Sequence, residues 1–167
     1  DEALFRHPKF MERAGRDLTE LERLAKERGF TLVEMAGDIG VLANGAGLTM
    51  AALDTLQRYG GRGGTFLDLG GTDDPDRISE ALGLLSYDLA KGRTRSILVC
   101  IFGGITRCDT VADALMHTIT DRNVKARTVV RLRGTNEEEA VRMLQLANFN
   151  VQIDLDEACL QAIKVRA

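Results

Sequence analysis

ILVCIFGGITRCDTVADAL, residues 97–115, is an apolar run that stops at Gly103 and Gly104 and continues with the spacing of a helix. Its first six residues, ILVCIF, show no polar alternation, which is typical of a strand covered on both faces. A helix directly after such a strand is the pattern of a parallel α/β sheet. This stretch therefore predicts the fold class, and it raises the question of why two glycines stand where strand and helix meet.

The same order of strand and helix recurs along the chain. Extended runs are expected at 30–36, 38–43, 65–71, 96–104, 127–134 and 151–154, and helices at 17–29, 47–61, 74–92, 105–120, 136–148 and 155–165. We predict a flavodoxin-like doubly wound parallel sheet of about five strands in the order 2-1-3-4-5, with a Rossmann-like order as the alternative. The first two runs, separated by Gly37, predict a short β-hairpin that follows an N-terminal helical segment.

Composition limits the classes of function. The chain has 167 residues, of which 44% are hydrophobic, and a net charge of -3 with its cations scattered. That balance predicts one globular unit and argues against binding to nucleic acid or to an anionic membrane. No stretch is long and apolar enough to cross a bilayer, and no signal-peptide pattern is present. The three cysteines are widely spaced, without zinc spacing, which is typical of reduced thiols in the cytoplasm or the mitochondrial matrix.

Two glycine loops are the candidate binding site. In the order 2-1-3-4-5, the loops 44–47 and 103–106 follow the first and third parallel strands and face one crevice. Glycine lets backbone N–H groups approach a ligand, and a helix start adds unpaired donors and a positive dipole end, so these loops suit an anion. Asn44 can donate to a carboxylate or phosphate oxygen, and Thr106 can add a hydroxyl. Glycine at such turns also has a purely steric explanation.

Neither loop has the lysine and hydroxyl residue of a P-loop or the spacing G-x-G-x-x-G, so a self-sufficient nucleotide site is disfavoured. Several other polar residues have packing or capping explanations that we prefer to catalytic or metal-binding ones. They are His7, His117, Cys108, Asp73, Asp74, Asp76 and Glu137–Glu139. Arg107 and Asp109 can pair with each other or with a partner chain. We predict no metal site.

Four segments carry a family resemblance. They are ANGAGLTMAALDTLQRYGG, FLDLGG, ILVCIFGGITRCDTVADAL and VVRLRGTNEEEA. In this order they resemble the C-terminal, flavodoxin-like CoA-ligase domain of the succinyl-CoA synthetase β subunit, the ADP- or GDP-forming succinate–CoA ligase. The resemblance runs from DEALFRH to LDEACLQAIKV. It implies that residues 1–29 form a helical segment following an ATP-grasp domain that this chain lacks, and that residues 30–167 form the CoA-ligase domain.

The resemblance also implies the chemistry. The complete αβ enzyme interconverts succinate, CoA and ATP or GTP with succinyl-CoA, nucleoside diphosphate and phosphate, and a histidine of the α subunit carries the phosphoryl group. The family's positions for phosphate and for succinate or a related dicarboxylate map onto Asn44, Gly103, Gly104, Ile105 and Thr106. No catalytic residue is implied in this chain. CoA, Mg²⁺ and the nucleotide belong to the complete enzyme, and this chain alone is expected to bind none of them and to be inactive.

The sequence departs from the family at two positions and leaves alternatives open. Thr72 stands where the family usually has a third glycine, and Cys100 where an asparagine is common. Malate–CoA ligase and ATP-citrate lyase share related domains, so the acid is less closely defined than the reaction type. A non-catalytic module for subunit assembly is the alternative from another class.

Overall fold

The computed structural model describes residues 17–166, in which helices and strands alternate. The helices are α1 (Glu20–Glu27), α2 (Ala46–Arg58), α3 (Pro75–Ala90), α4 (Cys108–Thr118), α5 (Arg122–Ala126), α6 (Glu137–Leu146) and α7 (Leu155–Val165). The strands are β1 (Thr31–Glu34), β2 (Ile39–Ala43), β3 (Gly63–Asp68), β4 (Ser96–Gly103), β5 (Thr128–Gly134) and β6 (Asn150–Gln152). The predictions for His7 and for the opening segment lie outside the described residues.

All six strands form one sheet in the order β1-β3-β2-β4-β5-β6. The strands from β2 to β6 are mutually parallel, and β1 is added antiparallel to β3 at one edge. Counted along the chain, the five parallel strands therefore have the order 2-1-3-4-5. The flavodoxin-like prediction is confirmed, and the Rossmann-like alternative is wrong.

The predicted β-hairpin is also wrong, because β3 lies between β1 and β2. Phe66 of β3 stands opposite Val33 on its antiparallel side and opposite Val41 on its parallel side. The connection between the two strands crosses the start of β3, where the Gly37 N–H donates to the Gly63 carbonyl at 3.0 Å. A Cβ on Gly37 would overlap the Arg62 carbonyl. Gly37 is thus required for a close crossing rather than for a hairpin turn.

Two apolar cores lie on opposite faces of the sheet. Helices α1, α3, α4 and α6 cover one face, and α2 and α7 cover the other. Strand β4 contributes Ile97, Val99 and Ile101 to the first core and Leu98 and Cys100 to the second. Both faces of β4 are therefore buried, which explains why its sequence lacks polar alternation.

A buried polar cluster fixes the antiparallel edge. Asp88 of α3 is 2% exposed and accepts a hydrogen bond from the Thr65 hydroxyl at 2.7 Å. Arg93 pairs with Asp88 at 3.3 Å and also with Glu34 of β1. Glu22 of α1 accepts the Glu34 N–H at 3.0 Å. These charge-assisted bonds attach β1 and α1 to the parallel sheet.

The short helix α5 was not predicted from the sequence. Its signal is Asp121, whose carboxylate accepts the N–H groups of Asn123 and Val124 at 2.7 and 3.2 Å. An aspartate that caps in this way starts a helix, but a five-residue helix carries too little apolar periodicity to be recognised.

We expect Gly83→Ala to raise the free energy of unfolding by about 0.4–1 kcal/mol. Gly83 lies inside α3, and a Cβ there would meet nothing within 4 Å. Urea denaturation followed by circular dichroism measures the change. The contrasting variant is Gly64→Ala, whose Cβ would lie 2.6 Å from the Gly37 carbonyl oxygen and should lower stability. Equal effects of both variants would contradict this account of the fold.

Candidate functional site

The two predicted loops meet at the carboxyl edge of the sheet because β2 and β4 are direct neighbours. The Asn44 side chain joins them: its Nδ2 donates to the Phe102 carbonyl at 2.9 Å, and its Oδ1 accepts the Phe102 N–H at 2.8 Å. The last pair of the β2–β4 ladder is Ala43 with Cys100. The Asn44 amide thus continues the ladder beyond the end of β2, in the place of a backbone peptide group.

This bridge uses one of the two N–H donors of the Asn44 amide. The other donor has no partner among the described residues. A contact between Asn44 and a ligand anion therefore stays a prediction. The second N–H of the Asn44 amide is available for that contact. The bridge itself is a structural role that the sequence did not indicate.

A second bridge holds the loop after β3. One oxygen of Asp68 accepts the N–H groups of Gly45 and Gly70, both at 2.9 Å. Gly45 has a φ of +97°, a conformation that favours glycine. Sequence reasoning did not single out Asp68. Its signal was a carboxylate inside the otherwise apolar run FLDLGG, at the last position of β3.

The two glycines after β4 have different surroundings. A Cβ on Gly103 would lie 2.9 Å from Cys108 Sγ and 3.0 Å from the Thr135 nitrogen, so the fold requires a glycine there. A Cβ on Gly104 would meet nothing within 4 Å, and its φ lies outside the left-handed region. The fold does not require a glycine at position 104.

Backbone donors of this loop are only partly used. The Gly104 N–H donates to the Phe102 carbonyl at 3.1 Å, and the Cys108 N–H donates to the Thr135 carbonyl at 3.0 Å. Within residues 17–166, the amides of Ile105 and Thr106 have no acceptor. Two open N–H groups thus stand just before α4, where the positive end of the helix dipole lies.

The side chains of the loop point in opposite directions. Ile105 is 75% exposed, and Phe102, near the end of β4, is 61% exposed. Thr106 is fully buried, and its hydroxyl finds no hydrogen-bond partner in the described part of the chain. A buried hydroxyl without a partner costs about 1–3 kcal/mol. The loop therefore presents an apolar pair to solvent and keeps the Thr106 hydroxyl away from it.

The start of α4 carries an internal ion pair. The Arg107 guanidinium donates to both Asp109 oxygens at 3.1 and 2.7 Å, and Asn136 Nδ2 donates to Asp109 at 3.0 Å. The Arg107 hydrogen bonds lower the pKa of Asp109 to about 2. Of the two possibilities that the sequence left open, Arg107 and Asp109 pair with each other.

The remaining acidic residues near the loops act within the fold. Asp74 caps α3 by accepting the Asp76 N–H at 3.0 Å, and Asp73 accepts the Arg107 N–H at 2.8 Å. Glu137–Glu139 form the first turn of α6, as predicted. Over the described range, no group of three His, Cys, Asp or Glu residues could hold a metal ion.

The predicted packing role of Cys108 is confirmed. All three cysteines are free and buried, and burial raises the pKa of Cys108 to about 11 and those of Cys100 and Cys159 to about 12. None of them is a thiolate at neutral pH.

His117 is exposed on α4, with its Nδ1 2.8 Å from the Asp113 carbonyl. None of the helices between residues 17 and 166 has the length and apolar character needed to cross a membrane.

A doubly wound α/β domain with glycine loops at its switch point is the class that this geometry defines. The particular family follows from comparison: residues 42–165 match the family model described as CoA-ligase. The chain belongs to the CoA-ligase family, and the resemblance stated from the sequence is confirmed.

Relatives agree with this family. The chain is 44% identical over 165 residues to a protein of Staphylothermus marinus named succinate–CoA ligase [ADP-forming] subunit beta. It is 40% identical over 166 residues to a protein of the same name from Bacteroides fragilis. The alignments cover 99% and 98% of this chain but 43% of each relative. The chain thus spans less than half the length of these proteins.

Solved structures share the fold at low sequence identity. The ATP citrate lyase of Methanothrix soehngenii, solved with citrate and coenzyme A, superposes with a TM-score of 0.70 at 13% identity, over 90% of this chain and 47% of that one. A dinucleotide-forming acetyl-coenzyme A synthetase of Ca. Korarchaeum cryptofilum gives 0.62 at 16% identity, over 80% and 35%. These likenesses support the fold alone.

We expect Asn44→Ala to lower the free energy of unfolding by about 1–3 kcal/mol, because it leaves the Phe102 N–H without an acceptor and removes one of the two donors to the Phe102 carbonyl. Asn44→Asp should also destabilise the chain near neutral pH, since it places a carboxylate oxygen against the Phe102 carbonyl. Chemical denaturation measures both variants. The control is Asn123→Ala in α5, whose exposed side chain makes no hydrogen bond among the described residues. Equal stability of Asn44→Ala and the control would refute the bridging role.

We expect the Arg107–Asp109 pair to stabilise the chain at neutral pH and to lose that effect in acid. The pKa of Asp109 falls from 3.8 to about 2 on folding, so its contribution is complete above about pH 4 and disappears as the pH falls through 2. Because Arg107 is half exposed, solvent screening should reduce the coupling energy of the pair well below the full linkage value. A double-mutant cycle of Asp109→Asn and Arg107→Gln, measured from pH 7 to pH 2, gives the coupling energy. A coupling energy that grows in acid would contradict the assignment.

Proposed function

We propose that this chain is the CoA-ligase domain of a succinate–CoA ligase β subunit and that its loop 103–106 binds the phosphate of the reaction. The single observation that carries the proposal is the open space at Gly104, where the fold itself does not require a glycine. A residue without a side chain at such a position leaves room for a ligand to approach the backbone. The 44% identity to a β subunit of that name supports the choice of reaction.

The loop suits an anion for three reasons. The amides of Ile105 and Thr106 are free to donate, the start of α4 adds positive dipole charge, and the Asn44 amide keeps one donor. Donors held in place before the reaction stabilise charge without a cost for reorganisation. In this proposal the chain holds and orients the phosphoryl group and the carboxylate of succinate or a related dicarboxylate. It supplies no acid, base or nucleophile.

The covalent chemistry then belongs to a partner. A histidine of the α subunit would carry the phosphoryl group between the nucleotide and the acid, facing the loop 103–106. Phe102, just before this loop, and Ile105, within it, are exposed and would be covered by the α subunit. CoA, Mg²⁺ and ATP or GTP would be bound by the complete αβ enzyme, since this chain aligns with 43% of its relatives' length. On this proposal the chain alone has no ligase activity.

Assays of the complete enzyme with succinate, malate and citrate identify which carboxylic acid is the substrate. Malate–CoA ligase or an ATP-citrate lyase type of reaction would use the same loop with another carboxylate. A module that serves subunit assembly alone would use Phe102 and Ile105 but would have no use for the open space at Gly104. A substitution at position 104 therefore distinguishes a role in ligand binding during catalysis from a role in subunit assembly alone.

We expect Gly104→Val, introduced into the complete αβ enzyme, to lower turnover by roughly 10²–10³ while leaving the melting temperature within about 2 °C. The side chain fits the fold but blocks approach to the backbone. Turnover of succinate, CoA and nucleotide, together with calorimetry, measures both effects.

Gly103→Val is the matched comparison. Its side chain would collide with Cys108 and Thr135, so its main effect should be a lower melting temperature. If Gly104→Val is fully active, or if it loses activity only in proportion to lost folded protein, the loop has a steric role and the proposed function is wrong. Gly83→Ala, in α3, controls for a glycine replacement with open space around it.

A further inference from the structure

Arg131 in the middle of β5 carries a charge that the fold does not neutralise. It stands opposite Cys100 of β4 and Gln152 of β6. Its Nε donates to the Ile153 carbonyl at 3.4 Å, and its NH1 is buried without any hydrogen-bond partner in the described part of the chain. Arg133, two residues further along, pairs with Glu137 at 3.2 Å. Arg131 has no such carboxylate among residues 17–166.

Such a group is costly for the fold. Arg131 as a whole is partly exposed, but its NH1 is withdrawn from water without an acceptor, and burying a charged donor in this way carries a desolvation penalty. A charge that lowers the stability of the folded chain is a candidate for a role in binding, because one residue can raise the affinity for a ligand while it lowers stability. A role in binding requires a candidate ligand site that is close enough to be affected by the electrostatic potential of Arg131.

The loop 103–106 is close enough to Arg131 to be affected by this potential. Arg131 precedes Gly134 by three residues, and Gly134 pairs with Gly103 at the end of β4. At about 3.3 Å per residue, the backbone of Arg131 is about 10 Å from the loop along the strand. The charge of Arg131 also acts to lower the pKa of Cys108, the first residue of α4, against the larger effect of burial. Its positive potential thus extends to the helix start that borders the loop.

We propose that Arg131 is an electrostatic positioning residue that raises the affinity of the loop 103–106 for an anion without touching it. The inference rests on the proposed function and deepens it. A unit charge separated from the anion by this backbone distance of about 10 Å, at an effective dielectric constant of about 20, would change the dissociation constant of a singly charged anion by roughly tenfold. The effect on a phosphate dianion is larger.

The test is a titration of this chain with inorganic phosphate at constant ionic strength, followed by NMR at the amides of Gly104, Ile105 and Thr106. Arg131→Met should weaken phosphate binding about tenfold or more, while the melting temperature without phosphate is unchanged or higher by up to about 5 °C. Arg131→Gln, which also removes the charge but keeps a polar side chain, carries the test if the first variant does not fold. Arg122→Gln is the control, because it removes an equal charge from the exposed start of α5, which precedes β5 and lies at the opposite edge of the sheet; it should change the affinity less than twofold.

The outcomes separate the two proposals. If the wild-type loop amides do not respond to phosphate, the proposed function fails and this inference fails with it. If the wild type binds and the Arg131 variants bind equally well, the inference alone is wrong. Arg131 is a structural residue if its variants melt at lower temperature with unchanged affinity. An equal loss of affinity in Arg122→Gln would make the effect one of net charge and would also overturn the inference.

Discussion

The burial of β4 on both faces is the constraint on which the rest of the structure depends. A strand with apolar side chains above and below needs helices on both sides of the sheet, and its backbone needs a partner strand along each edge. Parallel neighbours satisfy the backbone only through crossover connections, which here contain α3 before β4 and α4 after it. The loops that enter α2, α3, α4 and α6 consequently gather at one edge of the sheet.

This edge is held together by side chains that take the place of backbone. The Asn44 amide extends the β2–β4 ladder by one step, and Asp68 joins the loops after β2 and β3 through two N–H groups. Gly103 permits β4 and the loop after β5 to touch. With these positions fixed, Gly104, which has open space around it, and the exposed Ile105 can contact a ligand or partner without disturbing the sheet. A binding surface can therefore sit on a rigid support, as the proposed function requires.

Some features of this edge of the sheet could not be predicted from the sequence. Gly103 and Gly104 are identical neighbours, and only the atoms around them separate a glycine required by packing from one that leaves open space. Arg131 belongs to an otherwise regular buried strand, and its lack of a carboxylate partner depends on the residues that the neighbouring strands β4 and β6 place opposite it. The hairpin prediction failed for a related reason: a turn residue such as Gly37 marks a change of direction but does not identify the strand that pairs next.

The sequence by itself determined the fold class, the place of the glycine loops at strand ends and the family, because each depends on local patterns of apolar residues, glycines and ordered motifs. The structure decided between the predicted parallel order 2-1-3-4-5 and the Rossmann-like alternative. Only the tertiary structure decided the partner of β1, the bridging role of Asn44, the burial of the Thr106 hydroxyl and the isolation of the Arg131 charge. The physical reason is that packing and hydrogen bonding in these places join residues far apart in the chain. Their energies depend on distance and burial, which residue type and spacing do not define.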